Sequence, residues 1–260
     1  VVMLNRPSQR VTDALTRLKD AVPSGLFETV ECDLASFDSV RKAIDTLKQQ
    51  CAEGVDVLCF NAGVSALPDQ ATVDGFDIQM QINHLSHFLL AKHLFPLLEK
   101  AAETHGEARI VNHSSLGRYY NVSGGLQEKY FGKNSGNLGG DRLGFFINGP
   151  PLDRYGQSKL ANSVFTQALH KKLQARSSTI KALAAHPGHT RTALLDEAGG
   201  VPWWVPVMLP WMPPKDGCLP LVTCCVGSNV QSGELYGPDG NSMTGFPRAV
   251  SSLKDDETSE

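Results

Sequence analysis

The sequence has no run near the ~18 consecutive apolar residues of a membrane-spanning helix, and no secretory leader pattern. None of its six cysteines (Cys32, Cys51, Cys59, Cys218, Cys224 and Cys225) forms a Cys-x-x-Cys pair. Free thiols in a reducing compartment are the simplest reading, with Cys32 and Cys59 serving as small hydrophobes in strands. There is no excess of positive charge: 24 Lys and Arg stand against 27 Asp and Glu, so no nucleic-acid partner is expected. His84, His87 and His93 share one helical stretch, but no carboxylate or thiolate nearby completes a ligand set, so no metal is expected. Two glycosylation-type triplets, at Asn112 and Asn121, are expected to stay unused without a leader.

What is present is a rhythm. Val1 to Leu4 is a short apolar run that ends in the turn formers Asn5-Arg6-Pro7. Strand-like runs follow at 26–32, 55–60, 108–114, 180–185 and 233–236. Between them lie helix-like stretches at 8–22, 37–51, 76–98, 155–175 and 215–225. Alternating strands and helices imply an α/β fold, a doubly wound parallel sheet of Rossmann-like type over residues 1–245. The tail 246–260 is expected to be disordered. Ligands of such sheets bind beyond the carboxyl ends of the strands. Asn5-Arg6, Asp33, Asn61-Ala62-Gly63, Ser114-Ser115 and Pro187-Gly188 all fall there.

Two inserts break the rhythm. Residues 118–154 are polar and glycine-rich, the composition of a lid or binding loop. Residues 198–214 hold all three tryptophans among prolines. They read either as a loop packed on the core or as a flap over an apolar substrate. A peripheral membrane contact through 201–212 is compatible with that composition.

Tyr155-Gly156-Gln157-Ser158-Lys159 sets a phenol and an ammonium four residues apart, on one helix face. A nearby cation favours the phenolate, which is one way a tyrosine becomes an acid–base group. The pattern arises readily by chance, but it has company. Asn-Ala-Gly at 61–63, Asn-His-Leu-Ser-His-Phe from Asn83, Val-Asn-His-Ser-Ser at 111–115 and His-Pro-Gly-His-Thr-Arg-Thr at 186–192 accompany it in order.

With these five motifs the sequence resembles the short-chain dehydrogenase/reductase family, in particular the retinol dehydrogenase, WW-domain oxidoreductase and carbonyl reductase branch. The resemblance implies that Tyr155 exchanges a proton with the substrate oxygen. Ser115 hydrogen-bonds that oxygen, with Ser114 the lesser candidate. Lys159 lowers the Tyr155 pKa and holds the nicotinamide ribose, and Asn83 orders a relay water. It implies cofactor contacts at Asp33, Asn61, Ala62, Gly63, Pro187, Gly188, Thr190 and Thr192. Arg6 ends the first strand, where an arginine suits the 2′-phosphate of NADP over NAD.

The family's glycine-rich pyrophosphate turn, GxxxGxG, occurs nowhere in the 260 residues. The expectation is therefore a chain lacking its first βα unit, roughly 30–45 residues. The absent strand would be central, leaving a slot lined by apolar side chains between the Val1 and Val55 strands. Ser115 and Tyr155 are 40 residues apart, longer than the family's common spacing. An insert there accompanies monomers among carbonyl reductases, so monomer and homodimer both stand. The expected function is NADP-dependent hydride transfer to or from a carbonyl or alcohol of a mainly apolar small molecule, in the cytoplasm. A catalytically silent cofactor-sensing or scaffolding relative, or an inactive truncated product, are the alternatives.

Overall fold

The computed structural model describes residues 1–119, 125–133, 135–141, 149–191, 211–240 and 243–252. In chain order its elements are β1 (Val2–Asn5), α1 (Gln9–Ala21), β2 (Glu28–Glu31), α2 (Phe37–Gln50), β3 (Val57–Phe60), α3 (Ile78–Met80), a π-helical segment (Gln81–Leu85), α4 (Ser86–His105), β4 (Ala108–His113), α5 (Pro150–Ala175), β5 (Ile180–Ala185), α6 (Pro214–Gly217), α7 (Leu219–Val226), β6 (Glu234–Gly240) and β7 (Thr244–Ser252). Local chemistry sets several starts. The Asp77 carboxylate accepts from the Met80 amide at 2.8 Å and caps α3. Gly149 then Pro150-Pro151 open α5, where missing amide protons cost nothing.

The strands form two sheets. β1 and β2 pair in parallel; β3, β4, β5 and β6 pair in parallel in that order, and β7 closes the far edge antiparallel. β4 and β5 are central and nearly wholly buried, as strands covered on both faces must be. Their aligned register places Phe60 beside Asn112 and Asn112 beside Ala184, so the three strands end together. That shared end positions the site. One apolar core joins both sheets: Val30 of β2, Ile44 and Leu47 of α2, Leu94 and Leu98 of α4, and Ile110 of β4 pack together. α2 carries the small sheet onto the large one.

Among the described residues β1 and β3 share no ladder, so the sheet is divided where expected. Beside β1 and α1 lies a cleft of about 730 Å³ whose wall holds Met3, Asn5 and Val11 together with Arg6, Arg10, Asp13 and Arg17.

Other expectations are corrected. The helix expected at 76–98 contains a π segment and runs on to His105. The helix expected at 215–225 is broken into α6 and α7, with Pro220 in the first turn of α7. The last strand is not 233–236. β6 extends to Gly240, and residues 244–252 form β7, so 246–252 are not a disordered tail. An open β6 edge supplies unpaired backbone groups, and β7 satisfies them. The apposed Pro238 and Pro247 contribute no donors, and the ladder shifts register beside them. Residues 253–260, and 198–210 of the tryptophan-rich insert, lie outside the described residues. Among the described residues, no helix is long and apolar enough to cross a membrane.

Candidate active site

Tyr155 lies in the second turn of α5, facing the end of β4, and is 9% exposed. Its hydroxyl is hydrogen-bonded to the Ser115 side chain. Ser115 is held in turn, because its hydroxyl accepts from the Gly117 amide at 3.0 Å. Ser114 points the other way, to the Lys159 carbonyl at 3.1 Å and the Ser163 hydroxyl at 2.8 Å, wholly inside the protein. Of the two serines the structure brings only Ser115 to Tyr155.

Lys159 follows one turn later, its ammonium 5.8 Å from the Tyr155 ring centre. It donates to the His113 carbonyl at 3.0 Å. Burial lowers its pKa to about 8, so it stays cationic at neutral pH. The expected depression of the Tyr155 pKa does not occur in the free chain. Burial raises it, and only the Ser115 hydrogen bond opposes that. A phenol removed from water pays for ionising, and this cost exceeds the help it receives.

Asn83 sits within the π segment and is fully buried. Its side chain is committed to protein: Oδ1 accepts from the Val64 amide at 2.8 Å, and Nδ2 donates to the Val64 carbonyl at 2.9 Å and the Ser158 hydroxyl at 2.8 Å. Ser158 itself donates to the Tyr155 carbonyl at 2.7 Å. The extra residue of a π turn frees a carbonyl from the helical ladder. Here the Asn83 carbonyl accepts from Asn162 Nδ2 at 3.0 Å, with His87 Nδ1 at 3.1 Å. Asn162 Nδ2 also reaches the His113 carbonyl at 3.2 Å, the acceptor that Lys159 uses.

The residues expected to hold a nucleotide fall into three groups. Asn61 and Ala62 are exposed, and Asn61 Oδ1 lies 2.8 Å from His113 Nδ1. Gly63 backs onto the site. A Cβ there would lie 3.0 Å from Asn83 Oδ1 and 3.3 Å from Lys159 Nζ, a tight fit that glycine avoids. Beyond β5, Gly188 has φ +65° against Met243, and the Thr190 hydroxyl donates to the Pro187 carbonyl at 2.8 Å. Thr192 lies outside the described residues. On the smaller sheet, Asp33 Oδ1 accepts from the Ala35 amide at 2.9 Å, and Arg6 is exposed at the mouth of the arginine-lined cleft. The structure brings Asn61–Gly63, Asn83, Ser115, Tyr155 and Lys159 into one cluster; Arg6 and Asp33 belong to the other sheet.

Sequence reasoning passed over Gly117, Asn162 and Arg154. A Cβ on Gly117 would lie 2.7 Å from Tyr155 Cε1, so this glycine leaves room for the ring. Arg154, 1% exposed, donates to the carbonyls of Gly139 at 2.9 Å, Gly140 at 3.2 Å and Leu67 at 3.0 Å. It ties the first insert to α5. Its position next to Tyr155 was the one available signal.

Relatives share these features' frame. The family model described as short chain dehydrogenase matches residues 1–126. The Brassica napus short-chain dehydrogenase TIC 32 A, chloroplastic, is 33% identical over 208 residues, 76% of this chain and 58% of that protein. Human retinol dehydrogenase 14 is 37% identical over 173 residues, 66% of this chain and 45% of that protein. The chain spans about half the length of the curated relatives it matches. NADPH-bound carbonyl reductase from chicken fatty liver shares the fold, with TM-score 0.63 at 21% identity over 95% of this chain and 87% of that one. The chain belongs to the short-chain dehydrogenase family and resembles its retinol dehydrogenase branch.

Proposed function

We propose that this chain carries the proton-transfer centre of an oxidoreductase that moves a hydride between NADP and the carbonyl or alcohol group of a mainly apolar small molecule. The observation that carries the reading is the Ser115–Tyr155 hydroxyl contact, buried beside the Lys159 ammonium. A protein that only senses cofactor or acts as a scaffold has no use for a paired donor of this kind.

The residues fit a nicotinamide cofactor at its reactive end. Gly63 leaves space beside Lys159 and Asn83 that a side chain would fill, and Asn61 and Ala62 leave their backbone open. Asn61, Ala62, Gly63, Lys159, Pro187, Gly188, Thr190 and Thr192 would hold it there, with Asp33 toward the adenine. The cofactor supplies or receives the hydride.

Tyr155 gives its hydroxyl proton to the carbonyl oxygen of the substrate, or takes it from the alcohol in reverse. Ser115, fixed by the Gly117 amide, hydrogen-bonds the same oxygen and holds it against the phenol. Lys159 places a positive charge near the phenolate as it forms. A bound substrate that excludes water strengthens that attraction, which the free chain does not yet show. Arg6, with Arg10 and Arg17 on the same cleft, makes a field suited to a 2′-phosphate and favours NADP over NAD.

The test measures turnover and NADPH binding by the purified protein. It is expected to oxidise NADPH with apolar aldehydes or ketones, and to prefer it to NADH. Tyr155→Phe should lower turnover by roughly 10²–10⁴-fold while NADPH fluorescence still reports binding. Turnover kept within a few-fold removes Tyr155 from the chemistry, and equal use of both cofactors removes the NADP assignment.

A further inference from the structure

Cys59 and Cys225 are 166 positions apart in sequence, yet their thiols are near enough to interact. The fold brings them together by two periodicities. Val57 and Cys59 point to one face of β3, the face α7 covers. Leu221 and Cys225 lie one turn apart on α7, and Val57, Leu221 and Cys225 pack on one apolar cluster. Cys59 is exposed and Cys225 half-buried, so a small reagent reaches the pair.

The neighbouring cysteines are spoken for. Cys224 is buried with its thiol on the Ala184 carbonyl at 3.6 Å, and Cys218 bonds the Lys215 carbonyl at 3.2 Å. Cys59 and Cys225 have one another, and their surroundings make them unequal. The Cys225 pKa is lowered, first by the Cys59 thiol and also by the Arg109 guanidinium, while the Cys59 pKa is raised. Arg109 is fixed there by donating to the Cys224 carbonyl at 3.0 Å. A thiolate-favouring sulfur beside a protonated, accessible one is an arrangement for oxidation in two steps.

We propose that Cys59 and Cys225 are a peroxide-sensitive modification site that closes into an intramolecular disulfide between β3 and α7. The Cys225 thiolate attacks a peroxide oxygen, the O–O bond breaks, and Cys225 becomes a sulfenic acid as the first water leaves. Cys59 sulfur then attacks Cys225 sulfur; the S–O bond breaks, the Cys59 proton goes with the departing hydroxyl as the second water, and the S–S bond forms. Two thiols lose two electrons, and one peroxide becomes two waters. Cys59 stands two residues before Asn61, so the bond pins the strand end that leads into the Asn61–Gly63 turn. This assignment stands independently of the oxidoreductase reading.

The 260-residue chain, fully reduced, is treated with a few equivalents of hydrogen peroxide, and peptides are mapped by mass spectrometry without reductant. A Cys59–Cys225 linked peptide two hydrogens lighter than its parts is expected, within a single chain and reversed by dithiothreitol. Cys59→Ser or Cys225→Ser should each lower its yield more than tenfold; Cys218→Ser should leave it unchanged. Closure of so long a loop should raise the oxidised chain's melting temperature by roughly 5 °C. If either variant folds poorly, timed alkylation of the parent chain decides. Oxidation should protect Cys59 and Cys225 together while Cys218 still labels. Peroxide that carries either residue to sulfinic acid without a cross-link, links Cys59 elsewhere, or yields chiefly disulfide dimers overturns the proposal.

Discussion

The carboxamide of Asn83 grips Val64 at both backbone groups, accepting from its amide at 2.8 Å and donating to its carbonyl at 2.9 Å. A buried amide thereby imitates one rung of a sheet and fixes the Asn61–Gly63 turn to the π segment. Since Ser158 takes the remaining Nδ2 proton, the same side chain also reaches α5. Asn83→Ala removes all three bonds and leaves the Val64 groups without them. It should cost about 1–3 kcal/mol in urea unfolding, with faster amide exchange at Val64 than at the core strands. Unchanged exchange at Val64 would show that the turn holds itself.

Arg154 and Asp77 are 1% and 0% exposed in their side chains, with Nε 3.4 Å from Oδ2. Burial raises the Asp77 pKa; the Met80 amide hydrogen bond opposes that first and the Arg154 charge next, so the carboxylate leans on this guanidinium in part. Arg154→Leu should cost about 3–5 kcal/mol by denaturant titration. Adding Asp77→Asn should recover part of that loss, because the stranded charge is gone. Lysine at 154 should rescue poorly, since one ammonium cannot span the carbonyls of Leu67, Gly139 and Gly140.

Gly117→Ala places a methyl 2.7 Å from Tyr155 Cε1, closer than real contacts allow. The Tyr155 ring or the Ser115 turn must shift, which disturbs their contact. The variant should lose about 10²-fold in NADPH-dependent turnover, since small displacements of a reacting group are costly. Its urea midpoint should fall far less than that of Arg154→Leu. A variant with parental turnover would show that the hydroxyl contact tolerates a shifted ring.

His84 and His87 are buried and held neutral, with pKa values lowered to about 4 and about 3, in both cases chiefly by burial. The sign follows directly. Between pH 6.5 and those values the unfolded chain binds protons that the folded chain refuses, so stability falls as pH falls. Each imidazole accounts for up to a few kcal/mol by the end of that range. His87→Phe keeps the stack on Phe60, whose ring centre is 4.9 Å away. It should flatten the fall in urea midpoint between pH 7 and 4.5. An equal slope in parent and variant would mean that His87 charges freely in the folded chain.

Much of the fold was legible because its signals are local. Apolar runs bounded by Asn-Arg-Pro, Asn-Ala-Gly and His-Pro-Gly mark strand ends, and helical spacing puts Tyr155 and Lys159 on one face without any tertiary information. The π segment was not legible: an inserted residue in a helix is decided by what its freed carbonyl finds, here Asn162, 79 positions away. β7 was hidden for a similar reason, since a polar, proline-containing segment becomes a strand only when an open edge is beside it.

The sequence by itself determined the alternating architecture and the spacing of Tyr155 and Lys159. Those depend on backbone periodicity and on residue types. Only the tertiary structure decided that Ser115 and not Ser114 meets Tyr155, that burial sets the Tyr155 and Lys159 pKa values in the free chain, and that Cys59 meets Cys225. Each of these turns on distance and on exclusion of water between groups remote in sequence, and neither exists until the sheet and its helices have packed.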